Sequence, residues 1–355
     1  MDQWLDSSRP IRQGEALDLE KLEPYLRQHL PEMGEPLEIE QFPSGFSNLT
    51  YLLRAGDLEL VLRRPPFGNR VKSAHDMGRE YRVLEGLHPV YPQAPKPYVY
   101  CDDEAVLGAP FYVMERRRGV ILRRELPDGL ELSPVMAERL CESFIDNLAT
   151  LHNLDYKAAG LGDLGKPQGY VERQIGGWTK RYQNVQTDSW TELDQTAAWL
   201  HAHMPDETGA ALVHNDYKYD NLLLNPDDLT QITGVLDWEM CTIGDPLMDL
   251  GTTLAYWTEA NDDPRWRAVS FGPTTLPGSL TRQQVADRYR QQTGLDTSNL
   301  TFYFCFGLFK LAVIGQQIYY RFFKGHTRDP RFANLNQMVG LLGQVATQAI
   351  ERDKI

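Results

Sequence analysis

Apolar and polar positions along the chain change rhythm once, near residue 116. Upstream of that point, short apolar or alternating runs at 37–42, 49–54 and 58–63 have the length and spacing of strands. Ala55-Gly56-Asp57 separates the last two and is a tight-turn signal, so they form a hairpin. A short helix is expected over 18–30, with Asp18 as its cap. From 73 to 87, Met77, Tyr81, Leu84 and Leu87 recur at helical spacing, and 99–101 and 111–115 read as two further strands. Together these make a small α+β unit.

Downstream the period becomes helical. The run 133–152 is strongly periodic, and Ser133-Pro134 supplies a cap followed by a first-turn proline. Helices follow at 169–182 and 192–203. Two short strands, 222–224 and 232–235, flank an Asn225-Pro-Asp-Asp turn, and the rest to residue 351 is mostly helix. At 355 residues the chain exceeds one core. The pattern predicts a two-lobed α+β protein: an N-lobe over 1–115, β-sheet plus helix; a hinge at 116–119; and a larger, mostly helical C-lobe over 120–355. Internal repeats and low-complexity tracts are not visible.

Composition narrows the class. The net charge of −13 argues against a general nucleic-acid binder, which needs a basic face. Cys101, Cys141, Cys241 and Cys305 are scattered, with neither zinc spacing nor a disulfide framework. The opening Met-Asp-Gln-Trp-Leu-Asp lacks the regions of a signal peptide. The most apolar window, 301–323, is interrupted by Lys310, Gln316, Gln317 and Arg321, which predicts a buried amphipathic helix rather than a membrane span. A cytoplasmic protein is expected, with no nucleic-acid or membrane partner.

The chemistry concentrates between Leu212 and Leu250. His214-Asn215-Asp216-Tyr-Lys218 follows a buried apolar run, with Asn221 four intervening residues beyond Asp216. Asp237 stands 21 residues after Asp216, at the end of a second apolar run. This is the acid–amide–acid spacing of phosphoryl transfer from ATP. Asp216 would orient a hydroxyl and accept its proton. Asn221 and Asp237 offer the oxygens Mg²⁺ prefers. Lys218, two residues past the acid, would offset charge on the γ-phosphate. His214 is given a scaffold role. Asp245, before Pro246, is expected to cap a helix, and Asp249 to brace the catalytic loop by accepting backbone N–H bonds. Taken singly, such Asp and Asn residues are turn formers or caps; the joint spacing favours a site.

The upstream lobe must hold the nucleotide. The turn carrying Ser44, Gly45, Ser47 and Asn48 would offer backbone N–H groups to phosphates. Arg63 ends the third strand, where a cation can clasp the α- and β-phosphates, and Glu80 on the next helix is its candidate partner. Met114, Glu115 and the arginines after them, Arg117 included, lie at the lobe boundary, where backbone groups can meet adenine. Arg116–Arg118 with Arg123 and Arg124 form a basic island, either a solvated linker or a face for an anionic substrate.

Several stretches resemble the aminoglycoside phosphotransferase and choline kinase superfamily. They are Phe42-Pro-Ser-Gly-Phe-Ser-Asn-Leu-Thr-Tyr51, Leu60-Val-Leu-Arg-Arg-Pro65, Arg79-Glu-Tyr-Arg-Val-Leu84, Phe111-Tyr-Val-Met-Glu115, Leu148-Ala-Thr-Leu-His152, Tyr170-Val-Glu-Arg-Gln-Ile175 with Trp178-Thr-Lys180, 214–250 and 310–321. The narrower likeness is to the kinase-like domain fused to some large acyl-CoA dehydrogenases and to its stand-alone bacterial relatives. The resemblance implies a protein-kinase-like fold, ATP as donor, Mg²⁺ as cofactor and a small-molecule hydroxyl as acceptor. It matches Asp216 to the catalytic acid, Asn221 and Asp237 to the metal ligands, Arg63 to the phosphate-clasping lysine and Glu80 to that lysine's helix partner. His214-Asn215-Asp216 stands where the family has His-Gly-Asp, a change that asparagine tolerates in a turn. Arg64 is an alternative to Arg63. The acceptor stays open: a hydroxyacyl-CoA or related metabolite, or an aminoglycoside. A nucleotide-binding pseudokinase scaffold is the non-enzymatic alternative. The helices at 170–182 and beyond Phe304 are expected to wall the acceptor pocket, with chemistry between the lobes.

Overall fold

The structure is a computed structural model that describes residues 2–34, 36–43, 48–67 and 76–355. The turn residues Ser44, Gly45 and Ser47, assigned above to phosphates, lie outside the described residues. So do residues 73–75, the expected first turn of the second helix. The chain forms two compact units. One comprises 1–121, 159–161 and 222–241; the other comprises 122–158, 162–221 and 242–355. The 222–241 segment thus groups with the first unit, not with the helical part that surrounds it in sequence.

The first unit is built on a five-stranded antiparallel sheet, ordered β1-β2-β3-β5-β4. The strands are β1 (Glu38–Gln41), β2 (Leu49–Ala55), β3 (Leu58–Arg64), β4 (Pro97–Cys101) and β5 (Phe111–Glu115). Ala55 pairs with Leu58, leaving Gly56-Asp57 as a two-residue turn in which Gly56 takes φ +63°. Side chains alternate between faces. Leu53 and Leu62 face the core that includes Leu22 and Leu26 of α1 (Leu19–His29) and Leu107 of the one-turn α3 (Glu104–Leu107). Asp18 holds the cap position of α1, but its side chain makes no capping bond. Arg63, one residue on from Leu62, therefore emerges on the opposite sheet face, where α2 (Met77–Leu87) supplies Glu80. The hairpin of Leu222–Asn225 with Asp228–Val235 joins this unit through a bridge from Val120 to Leu224. A Cβ on Gly119 would lie 2.9 Å from the Leu224 carbonyl, so only glycine permits that approach.

The second unit holds α4 (Pro134–His152), α5 (Tyr170–Val185), α6 (Thr191–Ala202), α7 (Pro246–Tyr256), α8 (Pro264–Arg267), α9 (Arg282–Thr293), α10 (Leu300–Phe323) and α11 (Leu335–Arg352). Ser133 caps α4 by accepting from the Met136 N–H at 3.3 Å. The expected α10 is present but buried almost all round from Leu300 to Val313. It is long and apolar enough to cross a membrane, yet 83% of its most apolar window is buried inside the protein. Two of its polar groups are paired internally: Gln316 Nε2 donates to Thr187 Oγ1 at 2.9 Å, and Lys310 Nζ donates to the Asn215 carbonyl at 2.7 Å, while Gln316 Oε1 is buried without a partner among the described residues. Helices α7 and α10 meet backbone to backbone. A Cβ on Gly251 would fall 2.2 Å from the Tyr303 carbonyl, and one on Gly307 would fall 2.3 Å from the Gly251 carbonyl. A short ladder pairs Ala211–Val213 with Thr242–Gly244 and delivers the chain into residue 214. That pairing partner is distant in sequence and was not legible there.

Candidate active site

The loop after Val213 is held from several sides. Asp249 Oδ2 accepts the His214 N–H at 2.6 Å, and Oδ1 accepts the Asn215 N–H at 2.8 Å, the bracing expected of it. Asn215 takes φ +65°, a left-handed position that asparagine tolerates better than most residues. Tyr170 OH donates to Asn215 Oδ1 at 3.2 Å. Behind Asp249, His152 presents Nε2 at 3.1 Å while its Nδ1 faces Tyr289 OH at 2.6 Å; donation from Nε2 to the carboxylate leaves Nδ1 as the acceptor. Burial would raise the Asp249 carboxyl, but the His152 hydrogen bond and nearby cations outweigh it and hold it below the usual range. His214 serves as scaffold: its Nδ1 lies 3.3 Å from the Asp216 N–H. Asp245 caps α7 through the Leu247 N–H at 2.8 Å, as expected.

Asp216 ends this loop with both oxygens engaged. Oδ2 accepts Lys218 Nζ at 2.6 Å and Asn221 Nδ2 at 3.0 Å; Oδ1 accepts Tyr256 OH at 2.6 Å. Burial pushes the carboxyl up, and the Lys218 ammonium with the Lys218 and Tyr256 hydrogen bonds more than offsets it, so the group lies below its ordinary value and is ionised. Asn221 Nδ2 also donates to the Asp216 carbonyl at 2.9 Å. With its nitrogen committed twice, the amide turns its oxygen away from Asp216. Beside Lys218 and Tyr256 lies a small recess, open to solvent and with about 10 Å³ of space for water, lined also by Phe144, Trp257, Phe271 and Thr274. Its walls come from α4, the end of α7 and the 271–274 loop. Helices α5 and α10 support the 214–217 loop through Tyr170 and Lys310.

The first unit carries the second group. Arg63 Nη1 donates to Glu80 Oε1 at 2.6 Å, and Nη2 donates to Asp237 Oδ1 at 2.9 Å. Burial works against the Arg63 charge, but Glu80 and Asp237 outweigh it and hold the guanidinium protonated. Arg64 points to the other face, stacked 3.7 Å over Phe67, so Arg63 is the arginine beside Glu80 and Asp237. Asp237 takes φ +66° and ψ +63°, a left-handed conformation that costs a non-glycine residue on the order of 1–2 kcal/mol. Its side chain is 32% exposed, and Oδ2 remains beyond the Arg63 contact. Asn48 Nδ2 donates to Glu239 Oε2 at 2.8 Å.

Met114 pairs with Val61 and Pro97 at the end of β5, and the Glu115 N–H donates to the Lys96 carbonyl at 2.8 Å. The basic island is largely spent on internal contacts. Arg116 donates to the Asp6 carbonyl at 2.6 Å, Arg117 to Glu115 at 3.0 Å and to the Thr233 carbonyl at 2.7 Å, and Arg118 to Glu59 at 3.0 Å.

Residues 38–273 match the model of the phosphotransferase enzyme family. The chain belongs to that family. Acyl-CoA dehydrogenase family member 11 of Rattus norvegicus is 34% identical over 328 residues, spanning 87% of this chain and 40% of that protein. The chain therefore matches less than half the length of this relative. Among solved structures, a Ralstonia eutropha protein provisionally called an aminoglycoside phosphotransferase is 32% identical, with a TM-score of 0.81 over 95% of this chain and 99% of that one. Choline kinase from Cryptosporidium parvum shares the fold at 14% identity, with a TM-score of 0.65 over 95% and 97% of the two chains. The fold of this phosphotransferase is protein-kinase-like, with a small antiparallel sheet and a larger helical part.

Sequence reading missed two residues of this phosphotransferase's site. Tyr256 bears a faint signal: Asp249, Thr253 and Tyr256 fall at i, i+4 and i+7 on an otherwise apolar helix, and all three bond the 214–217 loop. Lys310 interrupts an apolar run and opens the family-like stretch 310–321, neither of which assigns it a site role. Burial draws its ammonium down to about 8, opposed in part by Asp249 and Asp216. Between about 8 and the ordinary 10.5, the unfolded chain holds a proton that the folded one has released, so stability rises with pH across that window. Lys310→Met removes this difference. Urea denaturation should show wild-type stability rising relative to the variant from pH about 8 to about 10, and flat behaviour below about 8.

Proposed function

We propose that this phosphotransferase moves the γ-phosphoryl group of ATP to a hydroxyl of a small molecule. The observation that carries the reading is the ionised Asp216, fixed by three donors beside a solvent-open recess. The acceptor oxygen attacks phosphorus, the bond from phosphorus to the β–γ bridging oxygen breaks, ADP leaves, and the acceptor proton passes to Asp216. Lys218 offsets charge on the phosphoryl group during transfer. Arg63, kept charged and oriented by Glu80, clasps phosphate oxygens. Asn48, Met114, Glu115 and Arg117 belong to the nucleotide side of this reading, as do Ser44, Gly45 and Ser47.

Asn221 and Asp237 are the protein ligands we assign to Mg²⁺. The donor types fit: one amide oxygen turned away from its hydrogen-bonded nitrogen, and one carboxylate with an oxygen beyond its arginine contact. Among the described residues, no three His, Cys, Asp or Glu side chains gather as a metal site, which suits an ion that takes most of its ligands from phosphates and water. When bound, the ion would neutralise phosphate charge.

For the acceptor we propose a hydroxyacyl-CoA or related metabolite. Support comes from the relative named for acyl-CoA dehydrogenase chemistry, part of whose length this chain matches. Screening hydroxylated metabolites and acyl-CoA thioesters for ATP consumption, with Asp216→Asn as control, tests both levels. Acceptor-dependent turnover by the wild type alone supports the kinase. Equal traces for both proteins, with nucleotide bound, would identify a scaffold.

A further inference from the structure

The geometry points to Tyr256 as the positioning residue of Asp216, and we propose that its phenol sets the plane of the catalytic carboxylate. Asp216 has two anchors on Oδ2, Lys218 and Asn221, and a carboxylate held through one oxygen can still swing the other about that anchor. Tyr256 OH, at 2.6 Å from Oδ1, removes that freedom. The hydroxyl is aimed by a rigid frame. Tyr256 is 7% exposed, its ring meets Phe271 edge-on at 4.9 Å, and Lys218 Nζ lies 4.9 Å from the ring centre on the way to Asp216.

Helix α7 explains why tyrosine stands there. Asp249 bonds the N–H groups of His214 and Asn215, Thr253 donates to the Tyr217 carbonyl at 3.1 Å, and Tyr256 donates to the Asp216 side chain. One helical face thus holds the backbone on either side of Asp216 and the reacting carboxylate itself. The phenol cannot easily turn aside, because α7 is locked to α10 at the Gly251–Gly307 crossing. That rigidity favours a permanent strut over a stand-in that an acceptor hydroxyl displaces. One lone pair on Oδ1 remains for the acceptor.

The test uses the whole chain and Tyr256→Phe, which keeps the ring and its packing. Crystal structures of wild type and variant should show the residue 216 carboxylate rotated about its Lys218 and Asn221 contacts in the variant. An unmoved carboxylate overturns the proposal. Hydrolysis of Mg·ATP by water, with no other acceptor, should fall roughly ten- to a hundredfold in kcat with KM for ATP unchanged. In an Asp216→Asn background, Tyr256→Phe should cost almost nothing further, because the phenol acts through the carboxylate. Faster turnover in Tyr256→Phe would mean that the phenol blocks the acceptor position, and would also overturn the proposal. Only the kinetic part depends on the phosphoryl-transfer reading. If wild type and Asp216→Asn consume ATP equally, that reading fails, and the crystal structures still decide whether Tyr256 holds the carboxylate.

Discussion

Asp216→Asn should abolish phosphoryl transfer while leaving nucleotide binding intact. The amide is nearly the shape of the carboxylate, so Tyr256 can still donate to Oδ1 and the braced backbone of His214 and Asn215 is unaffected. What disappears is the negative charge to which we assign the orienting of the acceptor hydroxyl and the uptake of its proton, a contribution of roughly 10²–10⁴ in rate. The Lys218 ammonium also loses its counter-charge, which weakens its hold on the loop. ATP turnover should therefore fall by about three orders of magnitude, while calorimetric titration with ADP shows an affinity close to that of the wild type. A variant that still turns over at wild-type speed would remove Asp216 from the chemistry.

Asp237→Ala should depress activity as severely by another route. The carboxylate is the only charged protein ligand assigned to Mg²⁺, and losing it should cost on the order of 4 kcal/mol or more in the barrier. The fold should tolerate the change. Asp237 is part-exposed and its removal leaves Arg63 paired with the buried Glu80, so the main structural cost is that of placing alanine in a left-handed conformation, on the order of 1 kcal/mol. Turnover measured over a Mg²⁺ series should be several orders of magnitude down and recover incompletely at high Mg²⁺. Near-normal turnover would show that the metal ligands are elsewhere.

Much of the fold was readable because it is local. The strand period places Arg63 and Leu62 on opposite faces, Gly56-Asp57 marks its own turn, and Ser133-Pro134 announces α4. The spacing of Asp216, Asn221 and Asp237 marks a candidate site in sequence, and the roles given to Asp245 and Asp249 were readable because capping and bracing are local backbone roles. Contacts between distant segments were not readable. Nothing near Thr242 announces its ladder with Val213, nothing near Lys310 shows that it reaches the 214–217 loop, and the spacing of Tyr256 from Asp249 and Thr253 hints at its contact only faintly. The arginine run shows the same limit: charge is visible in sequence, but the carbonyls and carboxylates that it bonds are not.

The bracing of residues 214 and 215 has a consequence for exchange with solvent. Their amide protons lie in a loop by sequence, yet each ends on a fully buried carboxylate that is itself pinned by His152. Deuterium should replace them only when the helical unit opens as a whole, at rates matching the interior of α10 rather than those of surface turns. The catalytic loop would then be among the last parts of the helical unit to take up label.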